Sequence, residues 1–148
     1  MTVDVVNAVR APVTAAHVRA VLRKASRVPE VAARLPPGAA TVAVRVTDDD
    51  ELRRLHRDYS GDDTTTDVLS FAGAGGHLGD LAISWPAVVR QASEHGHPAP
   101  TELALLCVHG FLHLLGWDHA AAGGRREMSR VTLAALAGAG IELAPGRL

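Results

Sequence analysis

Three of the eight histidines fall within one short run, HGFLHLLGWDH, spanning residues 109–119. On an α-helix each residue advances about 100°, so positions four apart lie nearly over one another. His109 and His113 are therefore expected on one face, a turn apart, where two imidazoles can share a metal ion at about 2.0–2.1 Å each. Gly116 suits the left-handed conformation that ends a helix, and such a turn would bring His119 to the same ion. Three neutral imidazoles leave a fourth tetrahedral position open to water, which is how catalytic rather than structural zinc is held. The spacing predicts one Zn2+ per chain on His109, His113 and His119, although imidazole suits other transition metals too. Burying three unpaired imidazoles in so apolar a segment would otherwise be costly.

Other groups near this run are weighed by position. Cys107 lies about 200° around the helix from His109 and should point away, as a small apolar core residue. Asp118 is a candidate catalytic group, or a partner that orients a ligating imidazole; a turn or capping aspartate reads the sequence equally well. Glu102 precedes His109 by seven residues, on the same helical face but about 10 Å along it, and is read as structural or supporting. Asp67 and Ser70, in the block TDVLSF, are candidate substrate-binding groups, with packing as the blander role. His77 is expected to face solvent. His95 and His97 flank Gly96 at a spacing that mimics a metal pair, but the polar linker there argues against a site.

Secondary structure must hold these groups in place. Val3–Val6 reads as a short strand, and residues 15–26 as a helix capped by Thr14. RLPPGA, at 34–39, breaks structure. Ala40–Val46 alternates and reads as a strand; Asp48–Asp50 then offer a cap for a polar helix through Tyr59. A polar loop is expected at 60–65, a buried strand at Asp67–Phe71, a glycine turn at 73–76 and a second strand at Leu78–Ser84, together a hairpin. Helices are expected over 85–94, 100–115 and 124–137. The fold class is α/β (α+β): a small mixed sheet with helices packed on it, one of them the histidine helix. No repeat or internal boundary interrupts residues 1–148, so a single domain is expected.

Bulk properties narrow the class. A 148-residue chain with 47% hydrophobic and 21% charged residues is ordinary for a soluble globular protein. Aromatics are only 3%, so the core must be built from Ala, Val and Leu. The formal net charge of -1 gives no global nucleic-acid signal, though it allows a local basic patch. Cys107 is the only cysteine, so no intrachain disulfide can form. No apolar run approaches the roughly 20 residues of a membrane helix, and the opening residues lack a secretory profile. A cytoplasmic protein with no membrane association is expected.

The spacing of His109, His113, Gly116 and His119 resembles that of metzincin metallopeptidases, and LGWDH, residues 115–119, their matrixin branch. Those enzymes carry a glutamate general base after the first histidine; here that residue is Gly110, which argues against a zinc peptidase. HGFLHLLGWDH more closely resembles the signature of the YbeY endoribonucleases, in which glycine follows the first histidine. Thr66–Phe71 resembles that family's TDVLSF block, and Leu78–Ser84 its following GD-containing strand. Glu102, Glu127 and Met128 also fall where members carry those residues. The resemblance covers about residues 40–137.

It implies a zincin-like histidine helix, one zinc, and hydrolysis of single-stranded RNA in maturation of the 3′ end of 16S ribosomal RNA and in ribosome quality control. The implied partners are ribosomal RNA and the small subunit, with no DNA expected. The chain departs from the pattern at Ser60, where members have an arginine; His56 and Thr65 replace an asparagine and a proline. Arg53, Arg54 or Arg57 would be the nearby guanidinium, with Arg57 the substrate-binding candidate. The departure at Ser60 keeps a third reading open, a non-catalytic ribosome-assembly factor stabilised by zinc.

Overall fold

The computed structural model describes residues 1–60, 66–118, 120 and 123–148, with Ser60 described in its backbone alone. Its elements are β1 (Thr2–Asn7), α1 (Ala15–Ala25), α2 (Pro29–Ala32), β2 (Thr41–Thr47), α3 (Asp49–Ser60), β3 (Val68–Ala72), β4 (His77–Ser84), α4 (Trp85–His95), α5 (Ala99–Leu114) and α6 (Gly124–Gly138). The fold is mixed α/β. The strands lie in the order β1-β2-β4-β3. β1 and β4 run parallel to β2, while β3 returns antiparallel to β4 as the expected hairpin.

Local chemistry accounts for the boundaries. The Thr14 hydroxyl accepts the His17 N–H at 3.0 Å and starts α1. Asp48 accepts the Glu51 N–H at 2.9 Å and starts α3. Ser84 accepts the Ala87 N–H at 3.2 Å and starts α4 immediately after β4. α3 runs one residue past the expected limit, so Ser60 ends a helix, and residues 61–65 of the expected loop lie outside the described residues.

Along β2, Val42, Val44 and Val46 are buried on one face. On the other face Arg45 pairs with Glu51 of α3, its Nη2 donating to Oε2 at 3.1 Å. Helix α5 is central. Leu103 to Val108, with Phe111 and Leu112, is buried, and α5 packs against α1, α4, α6, β3 and β4. A helix buried nearly all round needs an apolar sequence on every face, and residues 103–108 (LALLCV) supply it. β3 is the exception to expectation. Its residues are only half-buried, because it is an edge strand whose outer side borders a cleft rather than core.

Among the described residues, no helix is long and apolar enough to cross a membrane.

A histidine-lined cleft as candidate active site

The distance between α5 and the sheet sets the site, and Gly110 sets that distance. A Cβ at Gly110 would lie 2.9 Å from Leu81 Cδ2, 3.2 Å from Val68 Cγ2 and 3.3 Å from Ser70 Oγ. Only a residue without a side chain lets the helix approach β3 and β4 this closely. The Ser70 hydroxyl uses the proximity, donating to the Gly110 carbonyl at 3.1 Å. A glutamate at this position would be driven into packed side chains, so the metzincin general base has no room here.

His109 and His113 leave the same face of α5, as their spacing predicts. Their Nε2 atoms are 3.2 Å apart, with ring centroids at 4.8 Å and planes at 67°. That separation suits an N–H···N hydrogen bond, and equally two bare nitrogens facing one ion. Two ligands at about 2.0–2.1 Å on a tetrahedral ion stand about 3.3–3.4 Å apart. The donor set therefore fits a metal of the zinc type. His119, the third expected ligand, lies outside the described residues.

The helix ends as expected. Gly116 takes φ +94°, its N–H bonds to the His113 carbonyl at 3.0 Å, and the Trp117 N–H to the Leu112 carbonyl at 3.1 Å. This pair of bonds is a Schellman termination. Arg34 secures the turn from outside. Its guanidinium carbon stands 3.5 Å over the Trp117 ring, and Nη1 donates to the Leu115 carbonyl at 3.3 Å. Asp118 is exposed, and its Oδ1 accepts the Ala120 N–H at 2.9 Å, a turn contact.

The two histidines open onto a cleft of about 550 Å³, walled by Asp67–Ser70 of β3, by Leu105 and Leu106 of α5, and by Arg147 and Leu148. The Asp67 carboxylate is held there by Gln91 of α4, whose Nε2 donates to it at 3.2 Å. Asp67 and Ser70 thus join the histidines in one cleft. Arg57 is not among the described residues lining it; this half-exposed side chain on α3 lies 3.5 Å from Asp58. His77 lies at the start of β4, bonded to Thr41 at 2.7 Å and Asp80 at 3.0 Å. Met128 is buried and lines a recess beside His109. Cys107 is fully buried, and burial pushes its thiol pKa up to about 12.

Sequence reasoning missed one assembly. Glu102 is wholly buried and receives Arg147 Nε at 3.0 Å and Nη2 at 2.7 Å. His97 Nε2 lies 2.7 Å from the same carboxylate. Burial alone would raise the Glu102 pKa, but the bonds from Arg147 and His97 outweigh it and hold the carboxyl below its ordinary range. The Ala144 N–H donates to His97 Nδ1 at 3.1 Å, so His97 carries its hydrogen on Nε2 and donates to Glu102. No local signal marks this group, since Glu102 and Arg147 are 45 residues apart.

Comparison with known proteins agrees with the motif. A family model described as Endoribonuclease YbeY matches residues 6–139. An Endoribonuclease YbeY of Moorella thermoacetica is 46% identical over 118 residues, covering 70% of this chain and 76% of that one. The Chloroflexus aurantiacus protein of the same name is 50% identical over 101 residues, covering 60% and 66%. The solution structure of TM1509 from Thermotoga maritima superposes with a TM-score of 0.60 at 19% identity, covering 99% of this chain and 100% of that one. That likeness speaks to the fold.

Proposed function

The chain belongs to the Endoribonuclease YbeY family, and from that premise we propose that residues 1–148 form one zinc-dependent, single-strand-specific endoribonuclease unit acting in ribosomal RNA maturation. The observation that carries the reading is the convergence of His109 and His113 Nε2, 3.2 Å apart, at the wall of a cleft. His109, His113 and His119 would hold the ion. When bound, it supplies Lewis acidity to a phosphoryl oxygen and acidifies a water.

The chain's own groups do the rest. The carbonyl of Gly110 takes the Ser70 hydroxyl hydrogen and keeps β3 against α5, so the cleft keeps its width. Gln91 restrains Asp67 at the rim. Ser70 also borders an adjoining groove with His56, Tyr59 and Phe71. There Tyr59 is exposed and its ring stands 4.8 Å from that of Phe71. An exposed aromatic ring beside a cleft suits an unstacked base, which is how single-stranded RNA is commonly held. The reading extends to ribosomal RNA of the small subunit as substrate, a part in ribosome quality control and a cytoplasmic setting.

Metal analysis joined to an RNA-cleavage assay tests the reading. Stoichiometric zinc is expected, with cleavage of single-stranded RNA that stops on chelation and returns with zinc. Cleavage of unstructured protein alone would favour a peptidase. Zinc with ribosome binding but no cleavage would favour an assembly factor.

A further inference from the structure

We propose that Arg147 is the phosphate-binding cation of the cleft, held in its working orientation by the buried carboxylate of Glu102. The proposal rests on the nuclease reading and names a group that engages the substrate backbone.

Position comes first. Arg147 lines the main cleft together with His109, His113 and Ser70. It also lines the neighbouring recess, about 480 Å³, with His109, Arg125, Ser129 and Thr132. It therefore stands where the two meet beside His109. Its anchor explains the placement. Glu102 lies on the same face of α5 as His109, about 10 Å earlier, so a side chain bound to Glu102 stands on the side of the helix that the histidines face.

Orientation comes second. The guanidinium carries five N–H donors in a rigid plane. Glu102 takes one from Nε at 3.0 Å and one from Nη2 at 2.7 Å. Three donors remain, two of them on Nη1, and no group among the described residues receives them. The Arg147 side chain keeps 17% of its surface exposed, whereas Glu102 keeps 0%. The carboxylate is sealed, while the Arg147 side chain keeps access to the cleft it lines.

The brace itself is firm. His97 is 4% exposed and donates to Glu102, while its other nitrogen receives Ala144, three residues before Arg147. The Arg147 N–H bonds back to the Ala144 carbonyl at 3.2 Å. The segment is thus fixed by its backbone at Ala144 and Arg147 and by the Arg147 side chain on Glu102. Burying a carboxylate is costly unless it is fully paired, and here the pairing leaves an arginine fixed beside the histidines. Asp67 also lines this cleft, and its proximity favours the charged form of Arg147. A phosphodiester oxygen is the ligand such unclaimed donors suit, because charge-assisted N–H bonds to phosphate are short and strong.

The test compares wild type with Arg147→Met and Arg147→Lys. Binding of a fluorescein-labelled single-stranded oligoribonucleotide is followed by anisotropy across a salt series, with chelator present so that nothing is cut. Inorganic phosphate is titrated in parallel, read by nitrogen NMR of the arginine side chains. Arg147→Met is expected to weaken RNA binding about tenfold. Its salt slope should fall by roughly 0.7, the value for one phosphate contact on a single strand. Lysine should restore the slope but only part of the affinity, and zinc content should not change.

RNA binding by Arg147→Met at wild-type affinity and slope would overturn the proposal while leaving the nuclease reading intact. If wild type neither binds nor cuts RNA, the nuclease reading falls and the phosphate titration decides. A phosphate shift at Arg147 lost in the methionine variant would sustain an anion site there, and no shift in wild type would end it. An Arg147→Met protein that loses its cooperative melt would assign Arg147 to the fold and overturn the role.

Discussion

Replacing Gly110 with alanine should destabilise the protein, even though α5 itself would gain. In an isolated helix the change is worth about 1 kcal/mol in favour of alanine. Here the new methyl meets three neighbours at once, at 2.9, 3.2 and 3.3 Å. The closest is a Leu81 methyl, the end of a flexible side chain, but Leu81 is 1% exposed and packed on all sides. The other two belong to β3, so relief requires the strand to move away from the helix. That motion stretches the 3.1 Å bond from Ser70 to the Gly110 carbonyl. Overpacking of this kind costs roughly 1–3 kcal/mol, and weakening the hydrogen bond adds up to about 1.

Set against the helical gain, the net loss should be about 1–2 kcal/mol. For a chain of this size each kcal/mol moves Tm by about 2–4 °C, so a drop of about 2–8 °C is expected. Thermal unfolding followed by circular dichroism measures it, and cleavage should fall as the cleft widens. A Tm equal to or above that of wild type would refute the close-packing argument. It would also reopen the question of why the metzincin glutamate is absent.

Three further outcomes are expected. His113→Ala should lose stoichiometric zinc while remaining folded, and one zinc per chain in that variant would show the ligand assignment to be wrong. Glu102 has a lowered pKa in the folded state, so its contribution to stability is present above the ordinary carboxylate range and lost as pH falls through the lower folded value. Glu102→Gln should therefore be less stable than wild type at pH 7, by about 3–5 kcal/mol for a broken buried pair, with the gap narrowing in acid. A gap that stays constant from pH 7 to pH 3 would refute the charge argument. Cys107, pushed up to about 12 and fully buried, should resist alkylation at pH 8 until denaturant is added. Prompt stoichiometric labelling of the folded protein would contradict its placement.

Much of this fold is written in short-range chemistry. Thr14, Asp48 and Ser84 are cap residues whose side chains bond the helices they precede, and Gly116 ends the histidine helix by the conformation its type allows. Strand alternation in β2 placed its valines on one face. The pairing of β4 between β2 and β3 was not legible, because strand order depends on contacts with no local trace. β3 read as buried because its apolar letters do not reveal that a cleft runs beside it.

In the site, the convergence of His109 and His113 followed from helical spacing alone. The link from His97 through Glu102 to Arg147 did not, since a contact spanning 45 residues is set by packing. His97 appeared to sit in a polar linker, yet it is 4% exposed. Its burial comes from the segment after α6 folding back over it, through the Ala144 N–H that His97 accepts.

That returning segment has a consequence for timing. Arg147 and Leu148 wall the cleft that His109 and His113 open onto, and they are translated long after α5. A growing chain can assemble the sheet and the histidine helix while one side of the cleft is still unmade. Domains generally fold as units as they emerge during synthesis. The wall that carries Arg147 is thus added to the cleft after the wall that carries His109 and His113, and the two are acquired at different stages of synthesis.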